Sequence, residues 1–223
     1  MYMSLIFTSR TFSTETKRDA ITTIMDNTIP NRDFYLLVIG AVVLAISAIF
    51  IDSIAVLIAS MIVAPLAYPI LGLGLGIIVS DWHLLLRCII MLSMSLVLAI
   101  ILAFIATFFF GHARVDSVFI SFESNMYFAI IIALISGFIA AYGLVRSKVG
   151  GVVTGIGIAV SLMPPLVMTG ISLADGMSLG VSPSHTFLVF LLNVIGILAG
   201  SMITFGLMGF HRIYTFKVIE NPN

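Results

Sequence analysis

Long apolar segments separated by short polar connections occupy most of this chain of 223 residues. Each segment approaches or exceeds the roughly 20 residues that a helix needs to cross the hydrocarbon core of a bilayer. None of the connections is large enough to fold as an aqueous domain of its own. The pattern therefore predicts an all-α polytopic membrane protein with six transmembrane helices, at about 34–51, 53–79, 84–110, 126–145, 149–174 and 186–210.

Residues 1–33 form the one extended polar stretch, and part of this leader has helical periodicity. Ser13 or Thr14 can cap a helix that carries Glu15 in its first turn. Three apolar side chains then share one helix face, at Ile21, Ile24 and Met25. We predict a short amphipathic helix that lies on the membrane surface, with a solvated leader of incidental periodicity as the alternative.

The basic residues predict the orientation, because Lys and Arg predominantly stay on the cytoplasmic side of a membrane. With the N-terminus inside and six crossings, Arg114 is the only one of the ten basic residues that falls outside. If segments two and five were re-entrant, Arg87, Arg146 and Lys148 would move outside, which is the poorer distribution. We therefore predict a cytoplasmic leader (1–33), a transmembrane domain (34–210) and a cytoplasmic tail (211–223).

Composition supports the lipid environment and excludes several classes of function. Apolar residues make up 61% of the chain and charged residues only 9%, against about 45–50% and about 25% in soluble domains. Acidic and basic residues balance at ten each, so no basic excess is present to bind nucleic acid. The single cysteine, Cys88, excludes an internal disulfide or a cysteine-based metal cluster. A P-loop lysine motif is also absent, and we predict no cofactor.

Segments two and five resemble each other in more than composition. Each has about a dozen apolar and small residues, a proline centre, a glycine-rich second half and an Asp-containing turn. When Pro65 is aligned on Pro164, Ser60 falls near Ser161. A three-helix repeat has an odd number of crossings, so its two copies must lie in opposite orientations. We therefore predict a 3+3 inverted repeat with segments two and five broken at their prolines, which is a signature of transporters.

The prolines are the main candidate for chemistry within the membrane. A proline has no amide donor and frees the carbonyl four residues earlier, which is costly in lipid unless protein, water or a ligand satisfies it. Freed carbonyls at matching places in two segments predict a cation-coordinating or water-lined centre, with simple helix kinks as the alternative. The prolines are Pro65, Pro69, Pro164 and Pro165, and the freed carbonyls belong to Met61, Pro65, Val160 and Ser161.

Few polar side chains lie at the depth of these prolines. Asn193 is the most informative, because an amide inside a spanning helix needs partners; an interhelical hydrogen bond is the alternative to ligand contact. No Asp, Glu, Lys or Arg lies mid-membrane and the histidines lack metal-ligand spacing, so we predict neither a catalytic nor a metal site. The candidate binding or permeation site consists of Ser60, Met61, Pro65, Pro69, Val160, Ser161, Pro164, Pro165 and Asn193.

Glycines recur at the spacing that lets two helix backbones approach closely. We expect most of them to serve packing within the bundle. Because no charged pair is present to hold the bundle together, we also expect some of the small-residue faces to serve other subunits. The protein is therefore predicted to be a homo-oligomer. The glycine pairs are 72/76, 151/155 and 196/200.

Three stretches of the chain resemble a known family. They are NTIPNRDFYLL from Asn27, DSIAVLIASMIVAPLAYPILGLGLGIIVSDWHLLLR from Asp52, and GIAVSLMPPL from Gly157. This combination, over roughly residues 20–210, is similar to the uncharacterised hydrophobic membrane proteins grouped as the domain of unknown function number 389. The resemblance implies a polytopic membrane protein of prokaryotes, here of the inner membrane. It implies no established activity.

Function therefore has to be predicted from the residues. The repeat and the paired prolines indicate an integral membrane transporter or channel for a small solute or ion, not an enzyme. Since no charge lies mid-membrane, a neutral solute or an ion held by backbone carbonyls is favoured. The alternative is a non-transporting structural or regulatory membrane protein that acts through lipid or partner contacts. The predicted partners are the lipid bilayer, further copies of the chain and the unknown solute or ion.

Overall fold

The computed structural model describes residues 14–111, 126–146, 151–175 and 181–211, and for Met126 and residues 151–161 it describes the backbone alone. Predictions on the start of the leader, on the connections between these ranges and on the tail from 212 lie outside the described residues. Within these ranges the chain forms eight helices and no strands. The helices are α1 (Thr14–Asn27), α2 (Arg32–Phe50), α3 (Ile54–Val63), α4 (Ala67–Val79), α5 (Trp82–Phe110), α6 (Met126–Val145), α7 (Gly151–Asp175) and α8 (Pro183–Leu207).

Several of these helices have the length and apolar character of membrane spans. Helices α2, α5, α6 and α8 each qualify alone, and α3 with α4 qualifies as one bent span, which gives up to five crossings in the described residues. The stretch of α7 with described side chains, Leu162–Asp175, is apolar but shorter than a span. The chain is therefore confirmed as an apolar helical protein of the multi-pass type. The sixth crossing stays a prediction.

The second apolar segment is broken at Pro65, as predicted. Helix α3 ends at Val63, α4 begins at Ala67, and the two helices are bent by 50° relative to each other. Ala64 is extended, with φ −67° and ψ 120°, because the ring of the following proline disfavours helical backbone. Pro69 makes no second break, since it lies in the first turn of α4, where an amide has no intrahelical partner to lose.

The predicted break in the fifth segment is wrong. Helix α7 runs continuously from Gly151 to Asp175 with Pro164 and Pro165 inside it. A proline ring fixes φ near −65°, which is a helical value. Each proline removes one helical hydrogen bond and crowds the carbonyl four residues earlier, but its backbone can still be helical. Every residue from Leu162 to Ser172 is buried, and tight packing on all sides keeps α7 helical where an exposed helix would kink.

Helix α7 is the centre of the bundle. It packs against α2, α3, α4, α5, α6 and α8. This placement explains the unusual composition of the segment, in which small and apolar residues occur on every face rather than on one stripe. A helix that is apolar all round is expected to be buried on all sides. The proline pair therefore lies in the protein interior and not on the lipid-facing surface.

Glycines join α6 to α8 at backbone distance. A methyl group on Gly200 would overlap the carbonyl oxygen of Leu134, and one on Gly196 would lie 2.7 Å from the Cβ of Ala133. The Thr204 hydroxyl donates to the carbonyl of Phe138 across the same interface, at 3.2 Å. The prediction that the 196/200 pair packs within the bundle is confirmed, and its partner is α6. The 151/155 pair lies outside the described side chains.

The leader contains the predicted helix, and its apolar face packs on the bundle. Helix α1 contacts α4 and α6, with Ala20 and Ile24 buried. Gly72 of α4 leaves room for this contact, because a Cβ there would lie 3.1 Å from the Thr28 methyl group and 2.6 Å from the sulfur of Cys88. A location on the membrane surface stays a prediction, but the Ile24 side of α1 is already covered by protein.

A buried lysine fastens the other end of α1. Lys17 is only 7% exposed, and its Nζ donates to the carbonyl of Gly209 at 3.5 Å and lies 5.7 Å from the centre of the Phe210 ring. A cation is favourable at this position, because the last carbonyls of α8 carry partial negative charge. The N-terminal leader is thereby tied to the end of the last described helix.

Replacing Lys17 with alanine is expected to loosen α1. The change removes a charged donor from the Gly209 carbonyl, an interaction of about 1.5–3 kcal/mol. Trypsin cleavage after Arg18 should therefore become roughly 10- to 100-fold faster, because cleavage follows the population of the opened helix. Thr22→Ala, on an exposed face of the same helix, serves as the control and should leave the rate unchanged. Equal rates for Lys17→Ala and the parent protein would show that Lys17 does not hold α1.

Candidate functional site

Ser60 lies at the end of α3 on a buried stripe. Leu57, Ser60, Met61 and Ala64 are all buried, and α3 packs against α2 and α7, so this stripe faces those two helices. The Ser60 hydroxyl is fully buried and donates to the carbonyl of Leu57 at 2.6 Å. Its proton is therefore already used, and only its lone pairs remain to accept a hydrogen bond or to coordinate a cation.

After the carbonyl of Ser60, the main chain has no amide that can continue the helical hydrogen bonds of α3. The amide of Ala64 donates to the carbonyl of Ser60 at 3.1 Å, which is the last helical hydrogen bond of α3. The following residue is Pro65, which has no amide to offer to the carbonyl of Met61. Met61 is 3% exposed, so this carbonyl is held at a buried turn of the chain.

The prolines of α7 lie deep in the bundle. Pro164 and Pro165 are both buried, and neither supplies an amide to the preceding turn, which contains Val160 and Ser161. The side chains of Val160 and Ser161 lie outside the described residues. One turn later a side chain supplements the helix: the Thr169 hydroxyl donates to the carbonyl of Pro165 at 2.7 Å.

A pair of threonines connects α7 to α8 and fixes their relative position. The hydroxyl of Thr169 lies 3.0 Å from that of Thr186, which itself donates to the carbonyl of Pro183 at 3.0 Å. Both threonines are buried. Seven residues, 176–182, connect the two helices, and a fully extended connection of this length spans at most about 25 Å. A parallel arrangement would need a connection as long as the helix itself, which is longer than this. Helices α7 and α8 are therefore antiparallel.

Asn193 lies on the buried face of α8, at 2% exposure. It follows Thr186 by seven residues, or two helical turns, and so lies on the same face. Helix α8 packs against α4, α6 and α7. The amide is thus inside the bundle rather than directed towards lipid.

The electrostatics of the site are those of neutral oxygen and amide groups. Helices α3, α4 and α8 contain no Asp, Glu, Lys or Arg. Sequence reasoning missed two of the neutral groups, Ser172 and Thr186. Ser172 is 1% exposed, and its hydroxyl has no hydrogen-bond partner in the ranges that the structure describes. The i, i+3 spacing of Thr169 and Ser172 and the i, i+7 spacing of Thr186 and Asn193 are the signals that would have found both residues.

These features define a class of protein: a polytopic α-helical membrane protein with a proline-broken span packed on a proline-containing central helix. Residues 61–199 match the family described as Domain of unknown function (DUF389), and the match includes both proline pairs and Asn193. The chain belongs to this family, as its sequence motifs predict.

The chain also has a relative among known proteins. The chain is 33% identical over 180 residues to the uncharacterized protein MJ0678 of Methanocaldococcus jannaschii. The similarity covers 80% of this chain but 55% of that protein, so the chain spans about half the length of this relative. No solved structure matches the chain.

Proposed function

We propose that this protein is a transporter or channel for a small solute or ion, with its site where the α3–α4 break meets the prolines of α7. The observation that carries the proposal is the break itself, a 50° interruption of a span that packs against a central helix with two further prolines. Non-helical backbone at membrane depth is tolerated only where protein buries it or where it lines a water-filled cavity. Broken helices of this kind form substrate and ion sites in transporters.

The pattern of helix neighbours supports the inverted repeat. We take α2 to α5 as the first unit, with α3 and α4 as its middle segment, and α6 to α8 as the second. The middle helix of the second unit, α7, packs against α2 and α5, the outer helices of the first. The middle helix α4 of the first unit packs against α6 and α8, the outer helices of the second. Two units related by a pseudo-two-fold axis exchange their middle helices in this way.

Two glycines occupy corresponding places in this exchange. A Cβ on Gly74 of α4 would overlap the hydroxyl of Ser201 in α8, and a Cβ on Gly170 of α7 would lie 2.6 Å from the Cβ of Ala103 in α5. In each case the glycine is on the middle helix of one unit, and its neighbour is on the third helix of the other. The correspondence supports a common origin of the two units.

The chemistry of the site favours an uncharged solute or a monovalent cation. Its groups are backbone carbonyls, hydroxyls and one amide, and it offers no carboxylate to balance a multivalent ion or to carry protons. The proposal takes α7 as the sixth crossing, with both termini on the cytoplasmic side of the inner membrane. It also takes the protein to be a homo-oligomer.

The test is flux through vesicles that contain the purified protein. Glycerol, urea and potassium chloride serve as probes, and we expect at least one to cross faster than in protein-free vesicles. The double variant Pro164→Ala/Pro165→Ala restores two helical amides and should reduce that flux towards the protein-free level, with unchanged expression and oligomer size. Pro183→Ala is the matched control, because Pro183 is the first residue of α8, where its missing donor costs nothing.

Two outcomes would contradict the proposal. If none of the probes crosses faster than in protein-free vesicles, the structural or regulatory role is favoured. If the double variant conducts as well as the parent protein, the prolines shape the helix and do not form the site.

A further inference from the structure

We propose that the side-chain amide of Asn193 donates a hydrogen bond to the carbonyl oxygens that Pro164 and Pro165 leave without helical donors, and that Asn193 is thereby a positioning residue of the site. The role of this bond in permeation rests on the proposed function. The bond itself does not, because it follows from the packing of α7 on α8.

The register of α7 and α8 places Asn193 at the level of the α7 prolines. The hydroxyls of Thr169 and Thr186 lie 3.0 Å apart, so these residues lie at the same level of the antiparallel pair. Asn193 lies seven residues beyond Thr186, and Leu162 lies seven residues before Thr169. Both steps correspond to about 10.5 Å along the helix axis. Asn193 is therefore opposite Leu162, within one turn of Pro164 and Pro165.

The helical periodicity determines the faces on which Asn193 and the α7 prolines lie. Seven residues complete almost two turns, about 700°, so Asn193 lies on the same face of α8 as Thr186, which contacts α7. On α7, Leu162 and Pro165 lie on the same side as Thr169, since they precede it by seven and four residues. The oxygen that lacks its donor at Pro165 belongs to Ser161 and opens on this side of the helix. The amide of Asn193, at 2% exposure, is thus level with the turn that lacks donors and lies on the buried side of α8, which contacts α7 through Thr186 and α6 through Thr204.

The energetics favour pairing of the two. A carbonyl group and a side-chain amide both lose hydrogen bonds to water when they are buried, and a hydrogen bond between them offsets that loss. In membrane proteins, polar side chains of neighbouring helices commonly resupply the donors that prolines remove. The continuity of α7 through two consecutive prolines then has a physical cause. A solute or ion that binds these carbonyls has to displace or share the amide of Asn193.

A double-mutant cycle tests the bond without reference to transport. Asn193→Leu is expected to lower the thermal midpoint Tm of the purified protein by about 2–6 °C. In the Pro165→Ala background the main chain supplies its own donor to Ser161, so the same substitution should lower the Tm by less than half as much. Asn193→Ala, measured in both backgrounds, provides the same comparison if Asn193→Leu does not fold.

The matched control is Thr204→Val. Thr204 lies on the same buried side of α8, but its hydroxyl donates to Phe138 of α6 and to Gly200, at 3.2 Å and 3.0 Å. Its effect on Tm should be the same in both backgrounds. If the Tm losses from Asn193→Leu and Pro165→Ala are simply additive, the partner of Asn193 lies elsewhere and the inference is overturned, whatever the vesicles conduct. If the coupling is present but the vesicles conduct none of the probes, the bond stands and the proposed function fails.

Discussion

Gly200→Ala is expected to destabilise this protein strongly. The new Cβ would overlap the carbonyl oxygen of Leu134 and lie 2.8 Å from the amide nitrogen of Phe138. These neighbours belong to the main chain of α6 and cannot rotate away as a side chain can. Overpacking costs typically reach about 3 kcal/mol, which corresponds to a loss of about 6–12 °C in Tm for a chain of this length.

A second glycine provides the control for helix propensity. Gly40, within α2, has no atom within 4 Å of the position of a Cβ. Alanine is a better helix former than glycine by about 0.5–1 kcal/mol, so Gly40→Ala should leave Tm unchanged or raise it slightly. The measurement is thermal unfolding of both variants in the same detergent. A Tm of Gly200→Ala equal to that of the parent protein would contradict the close approach of α6 and α8.

The approximate positions of the apolar helices could be predicted from the apolar runs of the sequence, but the helices that they pack against could not. The predicted segment 126–145 coincides with α6, and 84–110 differs from α5 by two residues at its start. The glycines predict close packing but do not indicate which helix is the partner, because any backbone can occupy the space that a missing side chain leaves. Only the folded bundle shows that Gly72 packs against Cys88 and Thr28, while Gly200 packs against the main chain of α6.

The local sequence around a proline does not determine whether the helix breaks there. Pro65 and Pro164 occupy similar sequence contexts, yet one ends a helix and the other lies within one. Pro65 has a second proline four residues later, which is well placed in the first turn of a new helix. Pro164 is buried within α7, and that helix as a whole packs against six others. The positions of the prolines could therefore be given from the sequence, but whether a proline breaks its helix depends on tertiary packing.

Water at the break is the central claim of the proposed function, and it predicts a large difference between two neighbouring residues of α3. In a Cys88→Ala background, single cysteines replace Ser60, which is fully buried on the side facing α2 and α7, and Ile58, which is 45% exposed on the lipid-facing side. Only a thiolate reacts with methanethiosulfonate reagents, and thiolates form in water and not in hydrocarbon. The variant Ser60→Cys should therefore react on the order of tenfold faster than Ile58→Cys.

The most direct measurement is the modification rate of these two cysteines in intact vesicles, using a small charged methanethiosulfonate and mass detection of the product. Reaction at Ser60→Cys with protection of Ile58→Cys is the result that a water-accessible break predicts. It reverses the order expected from burial alone, because the more buried residue reacts. If Ser60→Cys is as unreactive as Ile58→Cys, no water reaches the break, and Pro65 only bends the helix.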